Sequence, residues 1–233
     1  MKPFLLGVLG GMGPLATVDF MAKLLAATPA TRDQQQIPVV GLERSPDCRS
    51  AEGAGRAWPV AAASATERHR KAQRRRGKPY CHSLQYGHHW YDALSRASDA
   101  PILHIVEATL ERVAERAPTR VGVIATHGTL AAGWFQQGLE RLNVTPVLPT
   151  EQELESWFVP GCYAVKRGAL REGGELLSLQ AQALVERGAE TLILACTEVP
   201  VALDAIDSPF LAHAIDPAQA LAERCSALWQ KYR

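Results

Sequence analysis

Apolar runs of strand length recur along this chain, and each stops at small or polar residues. Residues 4–9, FLLGVL, end at Gly10 and Gly11, and a helix pattern follows from Pro14. IPVVGLE (37–43) is a second run, and residues 119–142 repeat the order strand, loop, helix. TPVLPT is another strand, ended by Pro149, and TLILA (191–195) opens onto a loop at Cys196. PILHIVEATLERVAERA (101–117) reads as a short strand or turn running into a helix. The stretch before TLILA reads as a helix, and the final PAQALAERCSALWQKY as an amphipathic helix. Continuous apolar runs of this length suit strands buried on both faces. Their alternation with helices predicts an α/β fold with parallel sheets flanked by helices.

Such sheets receive ligands at the carboxyl ends of their strands. Three strand ends therefore stand out: Gly10–Thr17, Ala125–Thr129 and Cys196–Pro200. All three carry small, hydroxyl or thiol residues. With 233 residues and 47% hydrophobic content, the chain has material for one large domain or two small ones. No apolar run approaches the length of a membrane span. The opening MKPFLLGVLGGMG is broken by glycines and is expected to be a buried strand rather than an export signal. The five scattered cysteines, at 48, 81, 162, 196 and 225, then read as reduced thiols in a cytoplasmic protein.

Charge is distributed unevenly. Residues 48–87 hold nine Lys and Arg against two Glu, a charge of +7 in a chain whose net charge is +1. The remainder is mildly acidic. The strand and helix pattern also fails there: no convincing strand is expected between 48 and 87, although the architecture needs a strand–helix unit of that length.

The strand ends carry several readings. Gly11-Met12-Gly13-Pro14-Leu15-Ala16 fits G-x-G-x-x-A, a dinucleotide fingerprint, but only formally. Pro14 lacks the N–H that a pyrophosphate would use, so a tight turn or a small-carboxylate site at the helix start fits better. Thr126 and Thr129 suit either a helix cap or a carboxylate contact, and capping is the simpler reading. His127 reads as a surface or capping residue. Cys196 is placed for a reactive thiol, against the alternative of a buried core cysteine. Thr197 and Glu198 beside it argue against a purely apolar role. Cys162 reads as an ordinary loop residue, Cys225 as a helix-face residue, and Lys166 as a solvated lysine between helical segments.

Taken together, GVLGGMGPLATVDF, DQQQIPVV, ERSPD, HHWYDAL, PILHIVEAT, GVIATHGT, YAVKRG and LACTEVPVAL resemble the aspartate/glutamate racemase family. The likeness runs in order through residues 1–47 and 88–233. It implies two similar α/β domains with the active site in the cleft between them. Residues 1–104 with 207–233 would form the first domain, and 105–206 the second. It also implies cofactor-independent racemisation of an acidic amino acid, with aspartate the expected substrate, in a homodimer with no nucleic-acid or membrane partner and no metal. In that chemistry one cysteine thiolate removes the α-proton and an opposing thiol returns one, while fixed donors stabilise the developing carbanion. By position, Cys196 corresponds to the second cysteine. Thr126, Thr129 and Thr197 correspond to substrate-carboxylate contacts, Lys166 to the anchor for the side-chain carboxylate, and Met12 to the loop bordering the substrate.

The first cysteine does not match. The family carries it in P-C-N-T-A-H, and the aligned positions here are Ser83, Leu84, Gln85, Tyr86, Gly87 and His88. Ser-Leu-Gln-Tyr-Gly can be encoded TCC CTG CAA TAC GGC. Read one base later, the same bases give Pro-Cys-Asn-Thr-Ala. Gly77 to His82 likewise admit Ala-Asn-x-Ile-Ala-Ile, and Cys48-Arg49-Ser50 admit an Asp-Arg pair like the family's after SPD. Residues 48–87 therefore read as translated out of frame. This accounts for ERHRKAQRRRGK better than a phosphate-binding arm, which lacks any recognisable module. Cys81, His82, His88 and His89 lack the paired spacing of a zinc site.

Leu84 cannot carry a proton, so the chain as written is expected to racemise poorly or not at all. The alternatives are an inactive relative that binds an acidic ligand, and a cysteine-pair isomerase for another substrate. Resequencing the gene is expected to recover Cys at position 84. An unchanged read would leave Leu84 in the protein itself.

Overall fold

The computed structural model describes residues 4–9, 14–42, 80–81, 91, 95–96, 98 and 100–232. The chain divides into two compact units, residues 1–108 with 218–233 and residues 109–217.

In the first unit, β1 (Leu6–Leu9) leads to α1 (Pro14–Ala27), then β2 (Val39–Leu42), β3 (Tyr80–Cys81) and β4 (Ile102–Leu103). The strands form one parallel sheet in the order β2-β1-β3-β4. Leu6 and Val8 are buried in β1, and Phe20 and Leu24 of α1 are buried one helical turn apart. β3 corrects the expectation that residues 48–87 hold no strand. Tyr80 pairs with Gly7 on one side and Ile102 on the other, and Cys81 with Val8 and Leu103. A ladder is made by backbone N–H and C=O groups, so a slot between two apolar strands accepts residues lacking an apolar pattern.

α2 (Ile105–Arg116) carries the chain into the second unit. There follow β5 (Arg120–Ala125), α3 (His127–Ala132), α4 (Trp134–Arg141) and β6 (Thr145–Val147). Gly133, at φ +72°, makes the bend between α3 and α4. α5 (Glu151–Glu153) opens on a capping box with Thr150 and runs through a π-turn, Leu154–Phe158, into α6 (Val159–Lys166). α7 (Leu170–Glu186), β7 (Thr191–Ala195), α8 (Glu198–Asp204) and β8 (Ala214–Ile215) complete the unit. Its sheet is also parallel, in the order β6-β5-β7-β8, the same topology as the first. α9 (Pro217–Tyr232) returns to the first unit. There Trp229 lies 5.1 Å from the Phe4 ring, and Ser226 Oγ donates to Ala27 O at 2.8 Å.

The core of the second unit is β5 and β7 with the inner faces of α6, α7 and α8. Leu177, Ala181 and Leu184 of α7 are fully buried at helical spacing. Each leucine contributes about 1.5–3 kcal/mol by burial. Two successive glycines, Gly173 and Gly174, in the second turn of α7 cost helix propensity, and close packing is what they permit. A Cβ on Gly173 would stand 2.9 Å from Gly161 O of α6, and one on Gly174 would stand 2.5 Å from Ala202 O of α8.

Gly174→Ala gains about 1 kcal/mol of helix propensity and incurs about 2–3 kcal/mol of overpacking, because a backbone carbonyl cannot swing aside. The expected result is a net loss of stability, read as a lower urea midpoint by circular dichroism. An unchanged or raised midpoint would contradict this packing account.

Candidate active site

β5 and β7 run side by side in parallel, with Ala125 opposite Ala195. The residues that follow, Thr126 and Cys196, therefore leave the sheet at the same carboxyl edge. β7 is buried along its whole length, so Cys196 emerges from the densest part of the core and is itself only 6% exposed.

The Cys196 thiol donates to Glu198 Oε2 at 3.0 Å, and Thr197 Oγ1 donates to the same oxygen at 3.0 Å. Glu198 Oε1 lies 3.9 Å from Lys166 Nζ, the last residue of α6. One carboxylate thus connects three of the residues expected from sequence: Cys196, Thr197 and Lys166. Lys166 is half-exposed and also stands over the Tyr163 ring at 5.6 Å. Glu198 is the member that sequence reasoning undervalued. Its signal was its place two residues after the thiol, where a turn folds the side chain back.

Cys162 needs correcting as well. It is buried on α6 rather than in a loop, with its sulfur 3.9 Å from that of Cys196. Pro160, at the second position of α6, explains the misreading. Proline removes a donor and crowds the preceding turn, so the sequence reads as a break. The helix accommodates it by the π-turn, in which Val159 N–H reaches back to Leu154 O.

The hydrogen bond with Cys162, burial, and the negative charge of Glu198 all hold the Cys196 thiol well above the ordinary range. Ionising Cys196 would place a second negative charge beside Glu198 in a buried site. Cys196 is therefore a thiol at neutral pH, a form that suits it to deliver a proton.

Thr126 caps α3: its Oγ1 accepts from Thr129 N at 3.2 Å, and the two hydroxyls are 3.0 Å apart. Thr129 is buried and Thr126 half-buried. The simpler sequence reading of this pair, as a cap, is the arrangement seen. His127 is a surface residue whose Nε2 lies 2.8 Å from Glu151 Oε1. Met12 and Leu84 lie outside the described residues, as do the side chains of Cys48 and Cys81. Cys225 is buried on α9, in the first unit.

Residues 9–225 match the Asp/Glu/hydantoin racemase family. This chain belongs to that family. The aspartate racemase of Picrophilus torridus has a similar structure, with a TM-score of 0.78 at 20% identity over 97% of this chain and 95% of that one. So does the glutamate racemase of Francisella tularensis in complex with D-glutamate, with a TM-score of 0.72 at 15% identity over 100% and 83%. At these identities the likeness establishes the racemase fold. In sequence, a glutamate racemase from Corynebacterium kroppenstedtii is 33% identical over 108 residues, 44% of this chain and 35% of that protein. Both substrate types thus occur among the family members that this chain resembles.

Alkylation of Cys196 by iodoacetamide is expected to accelerate only above the ordinary thiol pKa of about 8.5. Removing the Glu198 charge should ease ionisation, so Glu198→Gln should move that pH profile downward. Mass-spectrometric rates at Cys196 measure it, and an unmoved profile would show that Glu198 does not hold the proton there.

Proposed function

We propose that this chain derives from a cofactor-independent racemase of acidic amino acids, most plainly aspartate, and that as written it retains only one of the two acid–base groups. The observation that carries the reading is the Cys196 thiol donating to Glu198 at the end of β7, with Lys166 on the other oxygen of that carboxylate. Family membership of residues 9–225 supports it.

The α-proton of an amino acid is weakly acidic, and inversion needs a base on one face and an acid on the other. Cys196 supplies a proton to one face, and Glu198 accepts the proton when Cys196 acts in reverse as the base. Thr197, Thr126 and Thr129 supply hydroxyls for the substrate's α-carboxylate. Using them for substrate requires Thr126 and Thr129 to turn from each other and Thr197 to turn from Glu198. Lys166 receives the side-chain carboxylate, in exchange for its long contact with Glu198. Met12 borders the substrate in this scheme. The second acid–base group belongs at position 84, where leucine has no proton to exchange. Loss of one such group typically costs on the order of 10²–10⁴-fold in rate, and here it removes one whole face of the reaction. The shifted reading frame over residues 48–87 belongs to this proposal, as do homodimer assembly and a cytoplasmic setting.

Incubation with L- and D-aspartate separately in deuterated water tests the reading. Cys196 alone should exchange the α-proton of a single enantiomer without inverting it, and Cys196→Ala should abolish the exchange. Restoring the shifted frame over 48–87, with cysteine at position 84, should switch on racemisation. Equal uptake by both enantiomers in the unaltered chain would refute a one-sided site. Binding without turnover in the restored chain would make it a ligand-binding relative.

A further inference from the structure

The family's chemistry makes no demand on Cys162, yet the fold brings it against Cys196. The two are 34 residues apart in sequence, and their sulfurs are 3.9 Å apart. Both side chains are buried, Cys162 at 7% and Cys196 at 6% exposure. The elements carrying them have little freedom to separate. Gly161, next to Cys162, packs so that a Cβ there would meet Leu177 Cγ at 2.9 Å, and Gly173 of α7 lies against Gly161 O. Cys196 is fixed by the last rung between β5 and β7. Rigid backbone on both sides keeps the sulfurs adjacent, and a disulfide needs them to close by about 2 Å.

We propose that Cys162 and Cys196 form a redox-active thiol pair, which a hydroperoxide converts to an intramolecular disulfide that withdraws Cys196 from acid–base chemistry. Glu198 Oε2, 3.0 Å from the Cys196 sulfur, accepts its proton. The thiolate attacks a peroxide oxygen, the O–O bond breaks, and the departing hydroxide takes that proton as water. The sulfenic acid formed on Cys196 is then attacked by the Cys162 sulfur. The S–S bond forms, the S–O bond breaks, and hydroxide leaves with the Cys162 proton as a second water. Two thiols lose two electrons in all, and one hydrogen peroxide becomes two waters. Because Cys196 is held as a thiol, the reaction runs faster in alkaline buffer. Cys162 acts as the resolving thiol: it intercepts the sulfenic acid before further peroxide drives it to the irreversible sulfinic acid.

The disulfide does not depend on the racemase reading; only its effect on turnover does. The unaltered full chain is treated with hydrogen peroxide at neutral and alkaline pH, blocked with iodoacetamide and mapped by mass spectrometry without reduction. The expected product is a peptide cross-linked through Cys162 and Cys196, short of two hydrogen atoms and released by dithiothreitol. In Cys162→Ala the expected product is sulfinic acid on Cys196. Cys196 sulfinic acid beside a free Cys162 in the unaltered chain would overturn the proposal. So would cross-links confined to other cysteines, or two intact thiols after alkaline treatment. The readout needs no turnover, so absence of α-proton exchange would defeat the racemase reading and leave the thiol pair standing.

Discussion

The pairing of β5 with β7 is the constraint on which the candidate site depends. Parallel strands in register end together, so the residue after Ala125 and the residue after Ala195 emerge at one edge without any contact designed between them. Thr126, Thr129, Thr197 and Glu198 are local to those two exits, and Lys166 and Cys162 reach them from α6. Thr126 turns into a short helix, and Cys196 turns into α8 with Glu198 in its first turn. A slip of the register would separate them, and the buried apolar faces of both strands make such a slip costly.

Glu198 gives that edge its electrostatic character. Its carboxylate takes hydrogen bonds from a thiol and a hydroxyl and stands near an ammonium. A pair as exposed as Lys166 with Glu198 adds little to stability. Its weight falls on protonation. A carboxylate next to a buried sulfur opposes a thiolate there, and its 3.9 Å contact leaves the lysine half-exposed at the end of α6. Glycines on α6 and α7 let the helix bearing Lys166 and Cys162 come close enough for this to matter.

Much of this arrangement was legible in the sequence. TLILA names β7 residue for residue, the closing helix is bounded as expected, and the small and hydroxyl residues after apolar runs marked the carboxyl edge. The rest was hidden for definite reasons. Pro160 reads as a helix breaker, yet a single π-turn absorbs it and keeps Cys162 on a helix. The contact between Cys162 and Cys196 depends on how α6 packs beside β7, which no local pattern encodes. Thr126 and Thr129 fit two roles on sequence alone, and local hydrogen bonding settled their resting arrangement as a cap.

The short strand β3 has a wider meaning. Tyr80 and Cys81 sit between β1 and β4 in a segment whose composition is foreign to the rest of the chain. A parallel ladder recognises peptide groups, while catalysis recognises particular side-chain atoms. The two are therefore separately heritable. A stretch of foreign composition can still be threaded into the middle of a sheet, and the side chains it brings to the strand end are a separate matter.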